Sequence, residues 1–430
     1  MTINDLLNRD IVCSCGKVHR CNISAVEIGK GALNALPGAL NDYKNVLLVA
    51  DANTYPLCAD TVKELVGDKI CGLCYFDTTS VLVPDEKAIA KIDESLSDET
   101  DFILGIGSGV INDLCKYVSH SRGIKSGIVA TAPSMDGYAS SGAAMIIGGM
   151  KITYTTHAPD VIIGDTDIMK SAPIDMIRAG YGDIIGKYSS LNDWELANLI
   201  RGEHFCQVVY DIVKETADDI LASADAIAAR EDAAIEKLMR ALVLSGITLT
   251  LVETTRPGSG SEHHLSHFFE ISGLIRNKKH LSHGEDVAYT TILTAGMREE
   301  ICKLQTPVFC EQTEKERLAA WDRIFAEVAP EVKKIQDEAG SYTTDLTGVY
   351  QEKWEEIKAI LSKCPTSAEC NRMMKAVGLD FSRCESLYGK EKIRDAMLYG
   401  KDLKNRYSML WIYYSLFSGH PETVDYKVEV

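Results

Sequence analysis

The chain has 430 residues, 46% hydrophobic and 25% charged, which is the balance of a globular protein long enough for two domains. Its 45 basic and 62 acidic residues give a net charge of −17, which argues against a nucleic-acid partner, because that would need a basic surface. The longest apolar run, residues 241–252, is too short to span a bilayer. MTINDLLNRD at the start has no secretory signal, and the thirteen cysteines are scattered, so we expect a cytoplasmic protein with reduced thiols.

The first conspicuous stretch is CSCGKVHRC at residues 13–21, with three cysteines and a histidine. Cys13 and Cys15 are predicted on one face of a strand, a Gly-Lys pair favours a turn, and the next residues can return as a second strand. Zinc fingers usually place paired ligands two to four residues apart and need a second pair at a distance, which this stretch lacks. The sequence therefore favours a β-hairpin over a metal site here.

Short apolar runs alternate with helical patterns over about the first 170 residues. The predicted strands are residues 45–51, 69–76, 101–109, 126–134 and 160–165. Alternating strands and helices predict a parallel sheet covered by helices, whose ligands bind in the loops after the strand ends. We therefore expect an α/β nucleotide-binding domain with a parallel sheet.

The second part of the chain has a helical pattern. Apolar positions recur three and four residues apart in residues 187–200, 218–229, 236–255, 316–338 and 403–417. We predict a dinucleotide-binding α/β domain over residues 1–172, followed by an all-α domain over residues 173–430 that binds metal and substrate.

A glycine-rich turn follows the third predicted strand and begins a helix. Gly107, Ser108 and Gly109 allow a ligand close to the backbone, and the helix N-terminus offers N–H groups and a positive dipole end to a pyrophosphate. The spacing is not GxGxxG, so a tight turn without a ligand is an equal alternative. Asp51, at the end of the first predicted strand, can accept hydrogen bonds from a ribose or can act only as a turn acid.

Acids and histidines further along the chain have the spacing of a metal site. Asp183 follows two glycines and is predicted at a helix start, with Lys187 one turn later. His263 and His267 share a helix face, and His283 lies at another helix start. A carboxylate with two or three imidazoles can hold a divalent metal and leave positions open for a substrate oxygen. Any one of these histidines alone is more simply a buried or surface imidazole.

Five motifs in order resemble a known family: GSGVIND, TAPSMDGYAS, GYGDIIGKYSSLNDW, SGSEHHLSH and HGEDV. From about residue 27 to at least residue 297, the chain resembles the metal-dependent dehydrogenases related to glycerol dehydrogenase, iron-type alcohol dehydrogenases and dehydroquinate synthase. Within that superfamily it is most similar to the sn-glycerol-1-phosphate dehydrogenases, especially their bacterial branch. The resemblance implies an oxidoreductase that reduces dihydroxyacetone phosphate to sn-glycerol 1-phosphate with NADH or NADPH, by hydride transfer to a carbonyl that a metal polarises.

The resemblance also implies the roles of particular residues. One divalent metal, zinc or nickel, is expected on Asp183, His263 and His283, and the HxxxH register favours His263 over the adjacent His264. Asp136 and His267 are expected at the substrate. The residues expected to line NAD(H) or NADP(H) are Asp51, Gly107, Ser108, Gly109, Val110, Ile111, Asn112, Asp113, Lys116, Thr131, Ala132, Pro133, Ser134 and Ser140.

Three other functions remain open from the residues alone. A polyol dehydrogenase would use unphosphorylated glycerol and lack a phosphate site, for which Lys187, our third candidate catalytic residue, and Arg256 are the candidate cations. A cyclase or lyase like dehydroquinate synthase would use NAD catalytically. A zinc-finger binding protein is disfavoured by the acidic charge. We expect a small phosphorylated triose as substrate, no nucleic-acid or membrane partner, and a homodimer or larger homo-oligomer, as is common in the family.

Overall fold

The computed structural model describes residues 2–148, 150–276 and 278–424. The chain divides into two compact units, neither of which is one continuous segment. The first unit comprises Met1–Ile184 and Asp211–Thr255, and the second comprises Ile185–Tyr210 and Arg256–Val430. The functional boundary at residue 172 stays a prediction.

The first unit contains a six-stranded parallel sheet. The strands of the described chain are β1 Ile11–Val12, β2 Val18–His19, β3 Ala25–Gly29, β4 Val46–Asp51, β5 Ile70–Phe76, β6 Phe102–Gly107, β7 Lys125–Ala130, β8 Gly142–Ile147, β9 Met150–Thr155 and β10 Val161–Asp165. The sheet has the order β3-β10-β7-β6-β4-β5, and β8 pairs with β9 as a separate hairpin. Strands β4, β6 and β10 are buried along their whole length, as expected for a parallel sheet covered on both faces. The predicted α/β sheet is confirmed.

The rest of the described chain is mainly helical. The α-helices are α1 Leu36–Ala39, α2 Tyr55–Val66, α3 Glu86–Glu94, α4 Gly109–Arg122, α5 Thr166–Met169, α6 Ile174–Ile185, α7 Lys187–Arg201, α8 Gln207–Leu221, α9 Ala224–Ala228, α10 Asp232–Val252, α11 Ser261–Ile275, α12 His283–Lys303, α13 Glu314–Phe325, α14 Ala329–Ala339, α15 Thr347–Glu352, α16 Trp354–Leu361, α17 Ser367–Ala376, α18 Cys384–Tyr388, α19 Lys390–Tyr399 and α20 Met409–Phe417. The described residues after β10 form no further strand, which confirms the all-helical C-terminal part. None of the described helices is long and apolar enough to cross a membrane.

Three predicted helical runs, residues 218–229, 316–338 and 403–417, are interrupted in the structure. In the second run Ala326 has a φ of 47°, and a short 3-10 turn precedes α14. Pro330 lies in the first turn of α14, where its missing N–H costs no hydrogen bond. Apolar spacing continues across such a break, so periodicity alone predicts one helix where there are two.

The predicted N-terminal hairpin is confirmed. Strands β1 and β2 pair antiparallel, with Ile11 opposite His19. The placement of Cys13 and Cys15 on a strand is wrong, because both lie in the turn that joins the two strands. There the N–H of Cys13 donates to the carbonyl of Lys17 at 3.1 Å, which closes the turn before β2 begins.

The carboxylate of Asp160, next to β10, joins separate segments of the first unit. It accepts hydrogen bonds from Ser24 Oγ at 2.8 Å and Tyr43 OH at 2.5 Å, and Lys125 Nζ lies 2.7 Å away. Burial raises the pKa of this carboxyl, but the ammonium group and the two hydroxyls together lower it by more than burial raises it. The pKa therefore lies below the usual value of 3.8. The ionised form of Asp160 is therefore part of the folded structure.

We expect Asp160→Asn to lower the free energy of unfolding by about 2 kcal/mol at pH 7, because the amide loses the charge-assisted bonds of the carboxylate. Since the folded pKa lies below the unfolded one, this stabilisation is present above the unfolded pKa and is lost as the pH falls through the folded pKa. Urea unfolding should thus give a wild-type-to-variant difference that is constant between about pH 5 and 7 and shrinks towards about pH 3. A difference that does not change with pH would contradict this.

Candidate metal centre and nucleotide loops

Three histidines come together in the second unit. His263 and His267 lie one turn apart on α11, and His283 is the first residue of α12. The ring centroids of His263 and His283 are 5.3 Å apart, and His267 lies 6.0 Å from the first ring and 5.7 Å from the second. One ligand atom of His263 and one of His283 are within 4.8 Å of each other. The two imidazoles are therefore close enough to bind one metal ion.

Local capping fixes where both helices begin. Ser282 and Glu285 form a capping box, with Ser282 Oγ donating to Glu285 Oε2 at 2.6 Å, so that α12 starts at His283. The N–H of Ser261 donates to Asp193 Oδ2 at 2.6 Å at the start of α11. The neighbouring side chains thus determine where the helices that carry these histidines begin.

A buried carboxylate orients His263. His263 Nδ1 lies 2.7 Å from Glu262 Oε1, which also accepts the N–H of Gly260 at 2.8 Å. Burial raises the pKa of Glu262, but the hydrogen bond from His263 and the other donors lower it to about 2. Because this carboxylate is ionised, His263 Nδ1 carries the hydrogen and Nε2 presents its lone pair. A carboxylate behind an imidazole is the arrangement that orients metal-binding histidines.

The adjacent His264 faces a different environment. It is fully buried, and neither ring nitrogen has a hydrogen-bond partner among the described residues. Burial, followed by the charges of Lys404 and Arg406, lowers its pKa well below the usual value, so the ring is neutral. The structure places the ring of His263, one residue earlier, beside His283.

Two acids of this centre escaped the sequence prediction. Glu262 is one, and Glu270 is the other. A carboxylate oxygen of Glu270 and one ring nitrogen each of His267 and His283 lie within 4.8 Å of one another. The available signal was the spacing of three from His267 to Glu270, which puts both on one helix face. For Glu262 the sequence offers no comparable signal, since an acid in a first helical turn is ordinarily solvated.

Asp183, the predicted third ligand, belongs to the first unit. It lies in the last turn of α6, so its placement at a helix start is wrong. Gly180 marks close packing and not a helix boundary, since a Cβ there would lie 2.0 Å from the carbonyl oxygen of Pro133. Asp183 is fully buried, and its Oδ2 accepts the N–H of Asp136 at 2.9 Å. Its role as a ligand stays a prediction.

Asp136 is held against α10. Its Oδ2 accepts a hydrogen bond from Ser245 Oγ at 3.1 Å, and Thr250 Oγ1 donates to the carbonyl of Ala139 at 3.1 Å. A Cβ at Gly246 would lie 2.8 Å from the carbonyl oxygen of Asp136, so the glycine permits this approach. The predicted substrate residue is therefore positioned by a helix that follows it by a hundred residues in the chain.

Three cations approach the loop of residues 256–260 within the second unit. Lys187 Nζ donates to one backbone carbonyl of this loop at 3.0 Å, and Arg406 donates to another at 2.7 Å. Lys404 Nζ lies 3.4 Å from Ser259 Oγ. The positive charges of Lys404 and Arg406 also lower the pKa of the neighbouring buried His264, so they add a positive potential beside this loop.

Arg256, the other predicted cation, is engaged by a backbone carbonyl and a carboxylate of the same unit. Arg256 Nη1 donates to the carbonyl of Tyr407 at 2.5 Å, and Nη2 pairs with the carboxylate of Glu203. Burial, followed by the charge of Arg256, lowers the pKa of Arg406 to about 10. Arg256 therefore acts on the electrostatics of this loop through its effect on the pKa of Arg406.

The predicted cofactor residues of the first unit lie at the carboxyl ends of neighbouring strands. Asp51 ends β4, Gly107 ends β6, and Thr131 follows β7. From β4 the chain moves outward to β5, and from β6 it moves the opposite way to β7, so the strand order reverses between β4 and β6. Dinucleotides bind open parallel sheets at such a reversal. The position of these residues is consistent with a cofactor crevice.

The two glycines around the turn after β6 lie against neighbouring side chains. A Cβ at Gly107 would lie 2.6 Å from Ile111, and one at Gly109 would lie 2.9 Å from Met135. Ser108 is the N-cap residue of α4. The remaining predicted cofactor residues lie in the first turn of α4 and in the segment after β7: Val110, Ile111, Asn112, Ala132, Pro133, Ser134 and Ser140. Their contact with a cofactor stays a prediction.

Some predicted cofactor residues form hydrogen bonds or ion pairs with other residues of the first unit. Lys116 is fully buried and pairs with Asp113 at 2.9 Å, and Asp113 accepts the N–H of Ala144 at 3.0 Å. Asp51 Oδ1 accepts the N–H of Thr54 at 2.9 Å and so closes its own turn. These contacts support the turn-acid interpretation of Asp51 and leave its contact with a ribose a prediction.

Comparison with known proteins identifies the family. Residues 27–173 match the family described as iron-containing alcohol dehydrogenase. A glycerol-1-phosphate dehydrogenase (NAD(P)+) of Halalkalibacterium halodurans is 30% identical over 373 residues, which cover 85% of this chain and 86% of that relative. The chain belongs to the glycerol-1-phosphate dehydrogenase family. A member from Methanoregula boonei, with the same name, is 31% identical over 294 residues, or 66% of this chain and 79% of its own.

Solved structures of more distant proteins share the fold of this family member. Maleylacetate reductase from Agrobacterium tumefaciens matches with a TM-score of 0.60 at 13% identity, over 94% of this chain and 98% of that chain. Glycerol dehydrogenase from Schizosaccharomyces pombe matches with a TM-score of 0.51 at 19% identity, over 84% and 91%. At these identities the likeness shows the fold alone. The family and the fold predicted from the five motifs are confirmed.

Proposed function

We propose that the protein reduces dihydroxyacetone phosphate to sn-glycerol 1-phosphate with NADH or NADPH in a metal-dependent reaction. The names of its relatives support this activity. The observation that carries the proposal for this chain is the cluster of His263, His267 and His283, in which Glu262 holds the first imidazole. An imidazole anchored by a carboxylate, with a second imidazole beside it, is suited to a metal ion.

His263 and His283 are the proposed metal ligands, with Asp183 as the third ligand that the sequence predicts. Imidazole and carboxylate donors suit either zinc or nickel, and three protein ligands leave a position for a substrate oxygen. Glu270 is an additional carboxylate close to His283. When bound, the ion supplies the Lewis acid for the ketone oxygen, and the nicotinamide supplies the hydride.

His267 is the proposed proton donor. The reduction needs one proton on the oxygen of the new hydroxyl, in addition to the hydride on carbon. The ring of His267 lies beside both proposed imidazole ligands, and an imidazole positioned at the reacting oxygen can act as a general acid. Asp136, held by Ser245, is the proposed contact to the substrate hydroxyl. The crevice at the ends of β4 and β6 is the proposed site of the dinucleotide.

The cations around residues 256–260 favour a phosphorylated substrate over the polyol of the alternative function. Lys187, Lys404 and Arg406 all direct their positive groups to this loop. A phosphate dianion would accept charge-assisted hydrogen bonds from such groups, whereas an unphosphorylated triose carries no charge. A homodimer or larger assembly is proposed from the family alone.

Initial rates with dihydroxyacetone phosphate and with dihydroxyacetone, each under NADH and NADPH, test the proposed function. We expect net oxidation of the cofactor and a kcat/KM at least about 100-fold higher for the phosphorylated ketone, because a site built for a polar group rejects a substrate that lacks it. Equal values for the two ketones would favour a polyol dehydrogenase. The absence of net cofactor oxidation would favour a cyclase or lyase.

Lys404→Ala provides the matched variant for the phosphate contact. It should raise KM for dihydroxyacetone phosphate by about 10-fold, and it should change KM for dihydroxyacetone much less, since one charge-assisted hydrogen bond is lost. The exposed Lys375→Ala, on α17, should change neither value. Equal changes in KM for both ketones in Lys404→Ala would show that the substrate phosphate does not bind at this loop.

A further inference from the structure

The β1–β2 hairpin brings three potential metal ligands together within the first unit: two cysteines of its turn and a histidine of β2. One ligand atom each of Cys13, Cys15 and His19 lies within 4.8 Å of the others. Cys15 Sγ lies 3.3 Å from His19 Nε2. In a tetrahedral zinc site with Zn–S bonds of about 2.3 Å and Zn–N bonds of about 2.1 Å, the ligand atoms stand about 3.5 to 3.8 Å apart. The distance between Cys15 Sγ and His19 Nε2 is close to this range, and the limit of 4.8 Å for Cys13 is compatible with it.

The orientation of His19 supports the same interpretation. His19 is buried, and its Nδ1 lies 2.7 Å from the carbonyl oxygen of Leu251, at the end of α10. Because a carbonyl oxygen can only accept, Nδ1 carries the hydrogen and Nε2 presents its lone pair towards Cys15. A backbone carbonyl that fixes the tautomer in this way is a regular partner of metal-binding histidines.

A simple thiol-to-imidazole hydrogen bond explains less of the geometry. It would account for the distance between Cys15 Sγ and His19 Nε2. It would not account for the approach of Cys13 to the same point. In the turn, the N–H of Gly16 donates to the carbonyl of Cys13 at 3.1 Å, and this bend turns both cysteines to one side.

We propose that Cys13, Cys15 and His19 bind a zinc ion in a structural site that shares no residue with the histidine centre of the second unit. Two thiolates and an imidazole are donors that select zinc over magnesium, calcium or manganese. The ion fastens the short β1–β2 hairpin to the end of α10, to which His19 is already hydrogen-bonded. The fourth tetrahedral position accepts a further ligand. The chain thus holds two metal ions, where the sequence alone predicted one.

Zinc loading combined with X-ray absorption at the zinc edge tests this site. The full-length protein is stripped with a chelator under reducing conditions and reloaded with zinc. We expect the wild type to retain one equivalent more zinc than the double variant Cys13→Ser/Cys15→Ser. Its spectrum should show sulfur neighbours at about 2.3 Å, which ligands from histidine and carboxylate cannot give. Equal zinc contents, or a wild-type spectrum with only nitrogen and oxygen neighbours, would overturn the proposal.

Matched variants separate this site from the proposed function. Cys71→Ser, an exposed cysteine of the same unit, should keep the full zinc content and the sulfur signal. His263→Ala should lose the other equivalent and keep the sulfur signal. If the double cysteine variant does not fold, the spectrum of the wild type decides alone. Loss of the sulfur signal in His263→Ala would contradict two independent sites.

Discussion

Replacement of His263 by alanine is expected to remove the catalytic metal and to lower kcat/KM by at least about 1,000-fold, or about 4 kcal/mol of transition-state stabilisation. The variant loses the imidazole that Glu262 orients beside His283. Asp183→Ala should lose metal and turnover together. Elemental analysis and initial rates on the same preparations provide the measurement, and a chelator should reproduce the loss in the wild type. Full activity in protein shown to be free of this metal would contradict the mechanism.

Two neighbouring variants make this result specific. Glu262→Gln should weaken the metal about 10- to 100-fold, because the amide orients His263 less strongly than the carboxylate, and added metal should restore the rate. His264→Phe keeps the volume of a buried ring and should keep the metal. If His264→Phe loses the metal and His263→Ala retains it, the assignment of the ligand is reversed.

Gly180→Ala is expected to lower the free energy of unfolding by about 3 kcal/mol. The added methyl group would lie 2.0 Å from the carbonyl oxygen of Pro133, and backbone cannot yield as a flexible side chain does. Since Pro133 belongs to the predicted cofactor loop, the affinity for NADH should fall as well. Urea unfolding and a fluorescence titration with NADH measure the two effects.

Gly38→Ala is the matched control for this substitution. Gly38 also lies in a helix of the first unit, and nothing stands within 4 Å of the position of its Cβ. Its stability should change by less than about 0.5 kcal/mol, or rise slightly because alanine restricts the unfolded chain. Equal stabilities of the two variants would show that the segment around Pro133 moves freely.

The sequence predicted those parts of the fold that repeat a pattern. Strands such as β4 and β6 are continuous apolar runs bounded by acids or glycines, so their positions were evident. The hairpin of β8 and β9 was missed, because its small residues followed a segment that has the composition of a loop. Whether a segment is a helix or a strand is therefore predictable where burial requires a regular spacing of apolar residues. It is less predictable where small residues are compatible with several conformations.

The candidate site was predictable only in part, for a related reason. The spacing of His263 and His267 was sufficient to place them on one helix face. Glu262 was not predictable, because its role depends on full burial and on contacts with residues distant in the sequence, such as the hydrogen bond from Ser189. The position of Asp183 was wrong because Gly180 was interpreted as a break, although only its contact with Pro133 explains why a glycine stands there.

The discontinuity of the two units has a consequence for how this chain is made. Helix α10, which holds Asp136 through Ser245, is synthesised about one hundred residues after the loop that it supports. The first unit therefore cannot complete its fold on the ribosome until residue 255 has emerged, by which time residues 185–210 of the second unit have already been made. A fragment cut after residue 172 would contain the sheet without this support. The first unit therefore stays incomplete on the ribosome while residues 185–210 of the second unit are translated.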